Sequence, residues 1–258
     1  MTAQEFLIEK YLIKFGEKLV DYIPRIPKET NYYAVLVEPR LNHKILYILK
    51  NHMYFLNESE SNIKWGLQIF HGINNEDQIK HITKDWLNVE YVNMEVDNFT
   101  KITFNQYIKN PNFWKKVKGD KVLLFQMDSI LLRHGIDEFL DYDYIGAPWT
   151  KPKEGNLIGN GGLSLRNKHK MLEISEKYNE YDPMWEDIFF TKYVDKTKLP
   201  NLETAMKFSV EDVFYPTPFG MHNPNKTSPY LIEYILNNLE DRSTLINILS
   251  ILKTLPID

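Results

Sequence analysis

Over its first half the chain alternates short, strongly apolar runs with stretches of helical spacing, and each run stops abruptly at polar residues. Ala34 to Val37 ends at Glu38-Pro39-Arg40, "WGLQIFHG" ends at His71-Gly72, "VEYVNMEV" follows, and "KVLLFQMDS" ends at Gln126 to Ser129. Between them, residues 42–56 place Ile45, Leu46, Leu49 and Met53 on one helical face, 75–82 reads as a polar helix, and 103–117 reads as a helix broken at Pro111. A wholly apolar strand must be covered on both faces, and strands alternating with helices supply that cover in a parallel sheet. The expected class is α/β, with a mostly parallel Rossmann-like sheet flanked by helices. Ligands of such sheets bind beyond the carboxyl ends of the strands. Glu38, Arg40, His71, Gln126 and Asp128 are therefore the residues to watch.

The flanking segments read as additions to one domain. Residues 2–23 predict an amphipathic helix, with a capping box from Thr2 and Glu5 and a stripe of Ile8, Leu12, Phe15, Leu19 and Ile23. After residue 141 come a short strand in "DYDYIGAPW", a polar loop over 150–160, renewed order at "NGGLSLRN", and helices over 167–178 and 185–195. "FSVEDVFYPTPFGMHNPN" reads as irregular, and two helices starting at Ser228-Pro229 close the chain.

Composition narrows the function classes. The 258 residues carry a net charge of −4 and no basic stripe, which excludes duplex nucleic acid as the expected partner. A phosphate ligand would then need a local device such as a cation, a glycine turn or a helix N-terminus. Cysteine is absent, which removes disulfides and thiolate metal sites and suits a reducing compartment. Phe6-Leu7-Ile8 runs at once into Glu9 and Lys10, so neither a signal peptide nor a membrane span is expected, and the expected location is cytoplasmic. The 14% aromatic content suits stacking on flat ligands and permits a monomer or a homodimer.

Four segments could carry chemistry, and each has a plainer reading beside it. Gln126-Met127-Asp128-Ser129 puts a carboxylate at a strand end, where it could reach a nucleoside diphosphate through a hard cation; the same residues could cap a following helix. Asn160-Gly161-Gly162 allows close backbone approach to a ligand, or makes an ordinary turn. Trp185-Glu186-Asp187 offers a ring for a sugar face and a general base, or simply acidic residues favoured at a helix start. His222 could complete a metal site or serve packing alone.

Taken in order, "AVLVEPR", "LQIFHG", "LLFQMDS", "DYDYIGAPW", "GNGGLSLR", "WEDIFF" and "PFGMH" resemble the DUF5672 family of glycosyltransferase-like proteins, over roughly residues 32–223. More distantly the layout is similar to GT-A glycosyltransferases. The resemblance implies a nucleotide-binding half over 32–130 and an acceptor half over 131–223, with helical additions at 1–30 and 224–258. It implies a UDP-sugar donor, with Mn²⁺ or Mg²⁺ on Asp128 and His222. Donor contacts would come from Glu38, Arg40, His71, Gln126, Met127, Asp128, Asn160, Gly161, Gly162 and Trp185. Asp187 would be the base of an inverting transfer, and Glu186 would meet acceptor or donor hydroxyls. The acceptor could be a glycan, a protein or a lipid. Gln126 departs from the pattern, standing where the first acid of the D-x-D motif is expected. A retaining transferase and a non-catalytic nucleotide-sugar-binding module remain as alternatives.

Overall fold

A computed structural model of the protein describes residues 2–178, 183–227 and 229–237. The first helix, α1 (Ala3–Lys18), leads into β1 (Tyr32–Glu38), α2 (Ile45–Asn57), β2 (Gly66–His71), α3 (Glu76–Ile82) and β3 (Val89–Asn93). Helices α4 (Lys101–Lys109) and α5 (Pro111–Lys116) follow, split at Pro111 as the sequence predicts, because proline cannot continue the hydrogen-bond ladder of α4 but suits the first position of α5. Then come β4 (Lys121–Phe125), β5 (Ser129–Leu131), β6 (Tyr144–Gly146), β7 (Pro148–Lys153), β8 (Asn156–Ile158) and β9 (Leu163–Asn167). The remainder is α6 (Lys168–Tyr178), α7 (Glu186–Tyr193), α8 (Leu202–Phe208), β10 (Ser209–Val210), β11 (Gly220–His222), a 3₁₀ turn at Pro224–Lys226, and α9 (Pro229–Asn237).

The main sheet has the strand order β3-β2-β1-β4-β9-β6, and only β9 runs against the others. The mixed α/β class with a mostly parallel sheet flanked by helices is thus the observed one. Side chains along the central strands alternate between two buried faces. Ala34, Leu36, Leu67, Ile69, Leu123 and Phe125 pack toward α1 and α2, while Val35, Val37, Phe70, Val122 and Leu124 pack with residues of α4 to α7. From β1 the chain steps outward through β2 and β3, and then returns to the other side of β1 as β4. The strand order reverses between β1 and β4, and the crevice of an open α/β sheet forms at such a switch point.

Three sequence expectations are corrected. The predicted helix over 2–23 ends at Lys18, because the Lys50 ammonium takes the Leu19 and Val20 carbonyls, and Ile23 lies exposed. Its Thr2–Glu5 capping box is present. The polar loop expected over 150–160 is the β7–β8 hairpin, closed by Glu154 and Gly155 with φ of 48° and 77°, the left-handed pair that a tight hairpin turn requires. The irregular stretch around "FSVEDVFYPTPFGMH" holds β10 and β11, which form a small second sheet in the order β10-β11-β5, and α8 precedes it unannounced. The second of the two expected C-terminal helices lies outside the described residues. No helix among those described is long and apolar enough to cross a membrane.

Candidate functional site

At the switch point a cavity of about 520 Å³ opens between the ends of β1 and β4. Its floor is Glu38, Pro39 and Arg40 with Gln126, Met127 and Asp128; one side is the Asn98–Lys101 loop with Phe104, and the other is a face of α1. Glu38 is buried and grips Arg40 in a fork, Arg40 Nε donating to one carboxylate oxygen and Nη2 to the other, each at 2.7 Å. Asn75 ties this strand end to its neighbour by donating to the carbonyls of Glu38 and Arg40 while accepting from Gly72 N. His71, expected beside the ligand, does not line the cavity: it is buried at the end of β2, with Nδ1 2.9 Å from the Gly72 carbonyl.

The chain leaves β4 through a turn in which Ser129 N and Oγ donate to the Gln126 carbonyl, and it continues into β5. No helix follows, so the reading of Asp128 as a helix cap falls away. Asn223 N donates to the Asp128 carbonyl, which fixes β11 alongside. This sets Asp128 Oδ1 3.3 Å from His222 Nε2, with Glu211 Oε2 3.5 Å from His222 Nδ1 and Lys226 on the other Glu211 oxygen. Neither ring nitrogen of His222, nor Glu211 Oε2, has a well-aligned hydrogen bond among the described residues, although all three are buried. Burial alone would lower the His222 pKa, but Asp128 and Glu211 outweigh it and push it up to about 9. Burial likewise works to raise Asp128, and His222 and Arg40 together hold it below the ordinary carboxylate value. Glu211 was missed in the sequence; a carboxylate just after a two-residue strand gives no periodic signal.

Gly161 and Gly162 form the hinge of the site. A Cβ on Gly161 would overlap the Glu186 carboxylate, and a Cβ on Gly162 would overlap the His222 ring. The glycines are there because one acidic and one basic group, Glu186 and His222, press on consecutive backbone units. Asn160 accepts from Gly162 N at 3.0 Å and so shapes the turn. Behind it, Arg166 is fully buried. Its Nη1 and Nη2 donate to the two oxygens of Glu186 at 2.7 and 3.1 Å, its Nε donates to Ser164 Oγ, and the Tyr144, Phe190 and Trp114 rings surround its guanidinium. Glu186, expected to meet substrate hydroxyls, therefore has both oxygens occupied. Asp187 is only half-buried; burial first and the Glu186 charge second raise its pKa from 3.8 to about 6. Trp185 stands half-exposed at the start of α7.

A divalent cation fits part of this arrangement. Two ligands bound side by side on one small octahedral ion lie about 3 Å apart. The Asp128–His222 separation is close to that, and the unbonded Nε2 is available once its proton is shed. No group of three His, Cys, Asp or Glu side chains suited to a metal occurs among the described residues, so water and ligand oxygens would complete the shell.

A family model described as "Protein of unknown function (DUF5672)" matches residues 87–222, which hold Asp128, the glycine turn, Asp187 and His222. The chain belongs to the DUF5672 family. No curated protein sequence matches this DUF5672 member significantly. Among solved structures it is similar to the galactosyltransferase LgtC in complex with donor and acceptor sugar analogs (11% identity, TM-score 0.48, 86% of this chain and 97% of that one). It is similar also to the bifunctional glycosyltransferase WbbM (10%, TM-score 0.47, 87% and 53%) and to the apo form of the glycosyltransferase GlyE of Streptococcus pneumoniae (15%, TM-score 0.39, 86% and 64%).

Proposed function

We propose that this protein is a glycosyltransferase that moves a hexosyl group from a UDP-sugar to an acceptor hydroxyl with inversion at the anomeric carbon. The observation that supports it is the Asp128–His222 pair at the glycine turn beyond the carboxyl end of β4, with Glu186 packed on the same turn and its neighbour Asp187 a carboxyl raised to about 6.

The nucleoside diphosphate lies in the cavity between β1 and β4, where Arg40 and Gln126 offer donors to its oxygens. Mn²⁺ or Mg²⁺ held by Asp128 and His222 would neutralise the charge of the departing diphosphate. Asp187, ionised above about pH 6, takes the acceptor proton. The acceptor oxygen forms its bond to the anomeric carbon as the bond from that carbon to the diphosphate oxygen breaks, and UDP leaves with the electron pair. Glu186 acts at one remove: paired to Arg166, it fixes the start of α7 and raises Asp187.

Asp187→Asn tests the assignment. Transfer, followed by UDP release, is expected to fall about 10²–10⁴-fold, with UDP affinity little changed. Full activity in the variant would remove Asp187 as the base. UDP-sugar binding that ignores EDTA, with no turnover by the wild type under any acceptor panel, would favour the non-catalytic binding module instead.

A further inference from the structure

The family match begins at residue 87, yet much of the cavity's lining lies before it. Glu5, Ile8, Glu9 and Leu12 of α1 face the cavity, at the i, i+3, i+4, i+7 spacing of a single helical stripe. The sequence alone makes α1 an accessory helix packed on the domain; the structure puts it against the ligand edge of the sheet. Ile8 and Leu12 are buried, whereas Glu9 stays partly accessible and pairs with Lys44, which also lines the cavity, at 2.7 Å. The start of α1 is fastened to the turn that follows His222. Thr2 Oγ1 donates to Asn225 Oδ1, and Asn225 Nδ2 donates to Glu5 Oε1 at 3.0 Å. Pro224, in that same turn, is part of the cavity wall.

We infer that α1 is a wall of the nucleotide pocket, and that the pair Glu9–Lys44 contacts a bound nucleoside diphosphate. This rests on the nucleotide reading of the cavity proposed above. A carboxylate is an acceptor only and suits ribose hydroxyls, whereas the ammonium suits phosphate oxygens. The segment matched by the family model therefore carries only part of the binding surface. The remainder comes from α1, the end of β1 and the segment after it.

The test uses the full chain with UDP and Mn²⁺. Hydrogen exchange of the wild type should slow at the amides of Phe6 to Leu12 when UDP binds, by about fivefold or more, because binding stabilises the state that holds the helix in place. Glu9→Ala should weaken UDP binding about tenfold in calorimetry, the usual effect of losing a hydrogen bond to a charged group. Its melting temperature without ligand reports that the fold survives. UDP binding with unchanged exchange in α1 and unchanged affinity in Glu9→Ala overturns the inference and leaves the transferase reading intact. Absence of UDP binding to the wild type would overturn that reading first, and this inference with it.

Discussion

The two sides of the Gly161-Gly162 turn hold charged groups of similar kind in opposite condition. On the Gly161 side, Arg166 and Glu186 satisfy one another through two hydrogen bonds and are enclosed by aromatic rings. On the Gly162 side, His222 sits between Asp128 and Glu211 at ion-pair distance without an aligned bond, and the Asp128 side chain is 51% exposed. Buried polar groups normally find partners, so incompletely matched ones are where a ligand has something to add. The closed pair is satisfied within the protein; the open pair keeps bonding capacity that a ligand could take up.

The largest effect that could break this contrast is on stability. Arg166→Met leaves Glu186 buried and uncompensated, and denaturant unfolding should show a loss of about 3–5 kcal/mol. Adding Glu186→Leu should recover much of that, since replacing a whole buried pair by apolar groups is far milder than breaking it. A single variant as stable as the wild type would mean that the closed pair is not closed. Gly162→Ala sharpens the other side. Its methyl group displaces the His222 ring, so on the proposed reading the stabilisation expected of UDP with Mn²⁺, about 2.7 kcal/mol at a hundred times Kd, should largely vanish in a melting experiment. The smallest effect concerns Asp187. Its folded pKa of about 6 lies above the ordinary 3.8, so its contribution to stability is present below pH 3.8 and is lost as pH rises through 6. Asp187→Asn should therefore melt higher than the wild type at pH 8, at roughly 2–4 °C per kcal/mol removed, and no higher at pH 3.5. With Asp187 as the proposed base, the same value puts the acid limb of the pH–rate profile near pH 6.

The parallel half was readable because burial on both faces writes an apolar run at each strand, and β1, β2 and β4 fall on those runs. Gln126 to Asp128 also stood out, since a polar stop after such a run marks the ligand edge. The β7–β8 hairpin was hidden because Thr150 to Gly155 are solvent-exposed and carry no alternation to read. Arg166 and Glu186 were visible as residues but not as a pair. They are twenty positions apart, and only the folding of α7 against β9 brings them together. His71 shows the converse: it does stand at a strand end, but it is buried with Nδ1 on the Gly72 carbonyl and takes no part in the cavity lining, which no sequence pattern signals.

The fastening of Thr2 to Asn225 spans 223 residues of sequence. The central strand β1 likewise stays without one neighbour until β4 is made. Helix α1 packs on α2, close to it in sequence, but the fastening of its first turn needs one of the latest described segments. Contacts of such long range must meet a large loop-closure cost before they are rewarded, so the fastening of the first turn of α1 should follow its packing on α2. In a refolding time course, recovery of the main secondary structure would come before the cavity wall formed by the start of α1 and Pro224 is closed.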